Sequence, residues 1–379
     1  MLILMTSPDA LLHNGIPRPQ LVSVLASASA DGNPVGIISN HGEPAWFEGA
    51  FGGSDVQFLQ SRGRQSGDIV SQNAAKFGLN PSDVLVLASK DEDVQMGKNG
   101  HAVLIAAGWS GDRQVEALGI RIESAAQFQE IVELIAGWSG QWWFSGEAPR
   151  YHVRALSDLS GYGKSVSQQD FAQRLTNTVK NGGSRLNALL AVTARSLLME
   201  GADSVDGLVW GVYPSSKSDN DDTDTLCDFT HRLRTTVSRV RFSKRGEPLF
   251  IRHTASPKRS SGGGGDRTDP TGQILTIHLN PFYKKSSRLV GKNVVVIDDC
   301  TTYGVSFGVA AAFLRKAGAA SVIGIALGKF GNQLRHYEID ILTDPYSPVS
   351  AGGFSVASSG LMSGSTNTIS QQVLRSLIQ

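Results

Sequence analysis

Cysteine is nearly absent: Cys227 and Cys300 are the only two among 379 residues. They offer neither a disulfide framework nor a metal-ligand spacing. Long hydrophobic runs are missing too, and none approaches the roughly 18 residues that a membrane span needs. Met1-Leu2-Ile3-Leu4-Met5 is too short for a signal peptide and lacks the basic flank. The cytoplasm is therefore the expected compartment. Nor is there an excess of one charge. Thirty-five Lys and Arg against 34 Asp and Glu leave a net +1, so nothing global points to nucleic acid or an anionic membrane. No solenoid repeat is present. What remains, 40% hydrophobic and 18% charged residues, describes a soluble globular protein, and its length suggests two domains.

The most informative stretch is Val294-Val295-Val296-Ile297-Asp298-Asp299-Cys300-Thr301-Thr302-Tyr303-Gly304-Val305-Ser306. Four β-branched apolar residues in a row read as a buried parallel strand, covered on both faces. The strand is expected to end in two carboxylates, followed by hydroxyls and a glycine. An Ala-rich helix should then run from Phe307 to Lys316 and stop at Gly318. Strand, polar loop and helix N-terminus place N–H groups where they hold a phosphate. Ionised Asp298 and Asp299 accept hydrogen bonds from a diol. A sugar phosphate satisfies both, and an ordinary nucleotide-binding turn without sugar preference is the plainer alternative.

This segment resembles the phosphoribosyl-pyrophosphate (PRPP) loop of the type I phosphoribosyltransferases, with Thr302-Tyr303-Gly304 where that family usually has Thr-Thr-Gly. The resemblance implies Asp298 and Asp299 at the ribose and Thr301, Thr302, Gly304 and Ser306 at the 5′-phosphate. Cys300, Tyr303 and Val305 complete the loop. It also implies Mg²⁺, held mainly through PRPP without a dedicated protein site.

In the first half, strands are expected at Leu2–Met5, Val35–Ile38, Val84–Leu87 and Ala102–Ala106, with a helix ending near Phe77. Alternating strands and helices mean an open parallel sheet with functional loops at the strands' carboxyl ends. This order resembles the haloacid-dehalogenase (HAD) phosphohydrolases over about residues 1–135. Position by position, the family's nucleophilic Asp falls on Ser7 and its acid/base on Asp9. Ser39 matches the phosphate-binding hydroxyl, Arg64 (or Arg62) the basic residue, and Ser89 and Asp93 the metal motif. Serine cannot form the aspartyl-phosphate, and it removes an anionic ligand from a hard cation. The first domain is therefore read as a non-hydrolytic phosphoryl-binding or scaffolding module. Helix and turn capping by Asp9, Ser39 and Asp93 is the alternative.

Residues 138–200 read as an aromatic linker (Trp138, Trp142, Trp143, Phe144, Tyr151) and two amphipathic helices, ending near Lys180 and Leu198. Leu208 to Val212 is a strand ending in Ser215-Ser216-Lys217, where the resembled family binds pyrophosphate. Arg232 to Arg245 is a basic cluster, but the acids Asp219 to Asp228 before it account for it by neutralisation, so nucleic acid is not expected. Leu249 to Arg252 and Gln273 to Leu279 read as strands around a glycine run, Gly262 to Gly265. The resemblance makes this a mobile lid acting through Lys258, Arg259 and Arg267; a plain hairpin tip is the alternative. Lys329 and Phe330, after the strand Ser321–Leu327, are candidates for contacting the acceptor. From Ser347 the chain reads as a Ser/Gly-rich tail with a short terminal helix.

The sequence thus implies an α/β protein of two doubly wound parallel-sheet domains: HAD-like over 1–137, linker and helices over 138–200, phosphoribosyltransferase-like over 201–346, and a tail over 347–379. Such a fusion resembles proteins linked to bacterial tellurium-resistance and stress gene clusters. The implied activity is PRPP-dependent transfer to a base or related nucleophile, with a homo-oligomer compatible. A regulatory or competence-type protein that binds PRPP or a nucleotide without catalysis is the alternative.

Overall fold

The computed structural model describes residues 1–138, 142–183, 185–205, 207–218, 220, 223–240, 245–256, 266–331 and 333–378. The chain forms two compact units. One comprises Met1–Gly140, Ser184–Ser204 and Arg232–Lys244, the other Gln141–Gly183, Val205–His231 and Arg245–Gln379.

The first unit is built on six strands: β1 (Ile3–Thr6), β2 (Val35–Ser39), β3 (Gln57–Gln60), β4 (Val84–Ala88), β5 (Val103–Ala107) and β6 (Arg121–Ile122). They lie in the order β3-β2-β1-β4-β5-β6, all parallel. Every residue of β1, β2, β4 and β5 is buried, which is why these segments read as continuous apolar runs rather than alternating ones. Helix α1 (Asp91–Asn99) opens with Asp91, Glu92 and Asp93, acids that suit the positive helix end.

In the second unit the strands are β7 (Phe144–Glu147), β8 (His152–Ala155), β9 (Val209–Val212), β10 (Phe250–Arg252), β11 (Ile277–Leu279), β12 (Asn293–Thr301), β13 (Ser321–Lys329), β14 (Arg335–Ile341), β15 (Phe354–Leu361) and β16 (Ser363–Thr366). The main sheet has the order β9-β12-β13-β8-β7-β16. Its first four strands are parallel, while β7 pairs antiparallel with both β8 and β16. The sheet is thus mixed, not purely parallel as expected. Hairpins β10/β11 and β14/β15 stand beside it. Helix α2 (Val166–Asn181) follows β8, and helix α3 (Leu186–Met199), buried along most of its length, belongs to the first unit.

Two regions depart from the sequence reading. The aromatic stretch is not a linker, because β7 and β8 are strands of the second sheet. Val153 and Ala155 alternate inward on β8. Gly146 is a close-packing position: a Cβ there would meet Met362 Sδ at 2.6 Å. The Ser/Gly-rich tail is also ordered sheet and helix. Gly364 of β16 lies against the Phe144 ring, and Leu374 of helix α4 (Thr368–Ile378) is fully buried. Small residues here admit close neighbours.

Candidate functional site

The acid pair sits at the carboxyl end of β12, inside the sheet. The strand does not end at the two carboxylates, as expected, but runs on to Thr301. Asp298 pairs with Ala326, Cys300 with Gly328 and Thr301 with Lys329 of β13. Only Thr302-Tyr303-Gly304 then separates the strand from helix α5 (Val305–Lys316). Gly304 has φ +80°, and a Cβ there would meet the Arg335 carbonyl at 2.8 Å, so the turn requires glycine. Thr301 Oγ1 accepts from the Gly304 N–H at 3.1 Å, and the Gly308 N–H reaches Gly304 O at 3.0 Å. The N–H groups of Val305, Ser306 and Phe307 therefore precede the first bond of the helix and stand where an anion is held.

Asp298 and Asp299 are half-buried, and among the described residues neither has an ion-pair partner. Each stays close to its own backbone: Asp298 Oδ1 accepts from the Asp299 N–H at 2.9 Å, Asp299 Oδ1 from the Cys300 N–H at 2.6 Å. Burial, and next the Asp299 charge, hold the Asp298 carboxyl well above the usual carboxylate range, although the Ser306 hydroxyl hydrogen-bonds to it and pulls the other way. Burial likewise pushes the Cys300 thiol far up, so it is not a nucleophile at neutral pH. Two hydroxyls expected at the 5′-phosphate thus have internal bonds, Thr301 to Gly304 and Ser306 to Asp298.

The Ser215-Ser216-Lys217 loop is the neighbour of this turn. β9 runs parallel to β12 with Val212 opposite Ile297, and the Tyr213 N–H donates to Ile297 O at 2.8 Å. Both loops leave the same end of the sheet. Beneath the 214–216 backbone lies Arg252, which is 1% exposed. Its Nε donates to Ser215 O, its Nη2 to Pro214 O at 3.3 Å and to Gln273 Oε1 at 2.8 Å, and its Nη1 to Thr276 Oγ1 at 2.6 Å. Tyr213 Oη donates to the same Gln273 oxygen at 2.8 Å. The sequence reading did not single out this network. Its signal was parity: Phe250 and Arg252 share one strand face, and an arginine two residues from a core phenylalanine must be buried with it.

Of the expected lid residues, Lys258 and Arg259 lie outside the described residues. Arg267 is exposed, and its guanidinium stands 5.8 Å from the Tyr303 ring centroid. The tyrosine that departs from the family pattern thereby gains a cation–π neighbour. Gln273 and Ile274 belong to the short helix Thr271–Ile274 rather than to a strand. Lys329 does not line an opening. It is 1% exposed, donates to Gly331 O and lies 5.9 and 5.6 Å from the Trp143 and Phe144 ring centroids. Burial lowers its ammonium to about 8, with Asp158 opposing. Phe330 is half-buried, and its N–H donates to Thr301 O at 2.8 Å.

In the first unit the structure brings Ser7, Arg64, Ser89 and Asp93 together and bonds them to one another. Asp93 Oδ2 accepts from Ser7 Oγ at 2.8 Å and from the N–H groups of Ser89 and Lys90 at 3.0 and 3.1 Å. Its Oδ1 lies 3.0 Å from Arg64 Nη2, and Arg64 Nη1 donates to Ile38 O at 2.6 Å. Burial raises the Asp93 carboxyl, while Arg64 and these hydrogen bonds pull it down. At the surface Lys90 pairs with Asp9 at 2.7 Å, and Ser39 Oγ accepts the His41 N–H at 3.0 Å. Arg62 is exposed. The cation and acid that would grip phosphate and metal are thus engaged with each other. The 379-residue chain is expected to release no phosphate from an aryl phosphate with Mg²⁺. Steady Mg²⁺-dependent release that disappears in Ser7→Ala would contradict this.

The basic cluster is dispersed. Arg232 donates to Gly119 O at 2.9 Å, and Arg245 pairs with Asp228. Arg241 and Lys244 lie outside the described residues.

No family model matches the chain, and no curated protein matches it. Among solved structures, the cobalt-bound deoxy-D-mannose-octulosonate 8-phosphate phosphatase of Haemophilus influenzae shares 9% identity, covering 36% of this chain and 90% of that one, with a TM-score of 0.29. A GsuK channel bound to NAD shares 9% identity over 85% of this chain and 61% of that one, with a TM-score of 0.22. Likenesses this distant leave the reading to the chain's own geometry. Among the described residues no helix is long and apolar enough to cross a membrane.

Proposed function

We propose that the second unit binds PRPP with Mg²⁺ and transfers its phosphoribosyl group to a nitrogenous base or related nucleophile, releasing pyrophosphate. One observation carries this reading: an acid pair without an ion-pair partner among the described residues lies beside a glycine-started helix N-terminus. Crowded, partly desolvated carboxylates gain most from a ligand that brings hydroxyl donors and positive charge. A ribose diol supplies the first, and a phosphate on the same sugar suits the N–H groups of α5.

The residues fit Mg²⁺ only as a shared ligand. Among the described residues no three His, Cys, Asp or Glu side chains are grouped to hold a metal. The acid pair would contribute, with PRPP oxygens completing the shell. Bound there, Mg²⁺ would neutralise charge on the leaving pyrophosphate. Asp298 and Asp299 would orient the ribose and stabilise positive charge developing at C1′. The C1′–O bond to pyrophosphate breaks, a bond from C1′ to the acceptor nitrogen forms, and the proton on that nitrogen is lost to solvent.

Incubation with PRPP, Mg²⁺ and a panel of bases, with mass detection of ribosylated products, tests the reading. A folded protein that does not bind PRPP would overturn it. The burial of Lys329 favours a second reading, in which PRPP is bound without an acceptor; PRPP binding with no product across the panel would select it. If transfer occurs, Arg267→Ala is expected to lower product formation more than PRPP affinity, because a closing segment excludes water at the reacting centre. Unchanged turnover would remove Arg267 from any such role.

A further inference from the structure

Arg252 is fully buried, yet it spends its guanidinium on the backbone of an exposed loop. It takes Ser215 O and Pro214 O, and the Ser256 N–H takes the next carbonyl, Ser216 O, at 2.9 Å. Three consecutive carbonyls are thereby drawn towards the 252–256 segment. In a trans peptide the C=O and the following N–H point in opposite directions. The N–H groups of Ser215, Ser216 and Lys217 are therefore turned away from that segment, and none has an acceptor among the described residues. Successive N–H groups on one side of a turn form an anion-binding nest. This one opens at the end of β9, next to the acid pair on β12.

The network behind the loop is closed on its far side. Gln273 Oε1 receives both Arg252 and Tyr213, Gln273 Nε2 reaches Ser256 Oγ at 3.4 Å, and Thr276 Oγ1 receives Arg252 Nη1. Arg252, Tyr213, Ser256 and Gln273 are all buried. The guanidinium is thus locked in plane and cannot swing out to touch a ligand. Lysine, a single ammonium on a flexible stem, cannot serve these oxygens at the same spacing.

We propose that Arg252 is a positioning residue: by holding the carbonyls of Pro214 and Ser215 it presents the N–H groups of the 215–217 loop to the pyrophosphate part of the substrate. This rests on the proposal that the second unit binds PRPP. Arg252 then acts on the pyrophosphate part alone, and ribose 5-phosphate, on the acid pair and α5, does not depend on it.

The test is calorimetric titration of the full chain with inorganic pyrophosphate and Mg²⁺, and separately with ribose 5-phosphate and Mg²⁺. Arg252→Met and Arg252→Lys are both expected to lose at least about tenfold in pyrophosphate affinity while ribose 5-phosphate binding stays within about twofold; a buried hydrogen bond to a charged group carries roughly that factor. Ser216→Pro removes one outward N–H while keeping every side chain of the buried network and should also weaken pyrophosphate alone, which covers the case in which Arg252 variants fail to fold. In wild type, pyrophosphate should slow amide hydrogen exchange of the 215–217 peptide. Wild-type binding of pyrophosphate with equal affinity in folded Arg252→Met, or in Ser216→Pro where the arginine variants do not fold, would overturn the assignment and leave the PRPP reading intact. A wild-type protein that binds neither ligand would overturn both.

Discussion

Replacing Asp298 and Asp299 together by asparagine is expected to weaken PRPP·Mg²⁺ binding by at least about tenfold, since each charge-assisted hydrogen bond lost is worth roughly 1.5–3 kcal/mol. Asparagine keeps the size and removes two charges. The same change should act on the free protein with the opposite sign. Burial and the adjacent Asp299 charge hold the Asp298 carboxyl above its unfolded value. A raised folded pKa means that the native state binds the proton more tightly than the unfolded chain. No penalty exists below the unfolded value of about 3.9; it grows as pH rises and is complete above the folded pKa. Asp298→Asn alone should therefore raise the melting temperature of the free protein at neutral pH, and the gain should fade in acid. PRPP·Mg²⁺ affinity of the wild type should rise with pH over the same window, because the ionised form is the acceptor. Titration calorimetry and thermal melts across pH check both signs. Unchanged PRPP affinity in a folded double variant would mean that the acid pair is not the ribose site.

Asp93→Ala is expected to destabilise the protein by about 3–5 kcal/mol, the cost of leaving a buried charge without its partner. Arg64 is 5% exposed and Asp93 0%, so water cannot replace the missing carboxylate. Ser7 Oγ and the N–H groups of Ser89 and Lys90 would lose their acceptor in the same step. The double variant Arg64→Met/Asp93→Leu removes both charges and should recover much of the loss, giving a coupling well outside additivity. Urea unfolding monitored by circular dichroism measures this. A loss below about 1 kcal/mol in Asp93→Ala, the range of an exposed ion pair, would show that solvent reaches the pair. Ser7, Arg64, Ser89 and Asp93 thus contribute to the fold through their mutual bonds.

The sequence by itself determined the elements whose chemistry is local. Val294 to Ile297 forms a strand because β-branched residues suit a sheet buried on both faces, and Gly304 starts the next helix because only glycine enters that turn at positive φ. The mixed α/β class followed from strands and helices alternating along the chain. What sequence could not decide was which small or polar residues face one another. Gly146 and Gly364 read as linker and tail, yet both let a strand lie against the Phe144 ring, a contact that exists only once β16 returns to the sheet. Lys329 read as a ligand contact until two aromatic rings and the Gly331 carbonyl enclosed it. Arg64 follows β3 and Asp93 follows β4, and only the return of both strands to one sheet makes them an ion pair. Arg252 reaches the 214–216 backbone for the same kind of reason. Hydrogen bonds between distant segments are written in the packing, because they depend on distances that local periodicity does not encode.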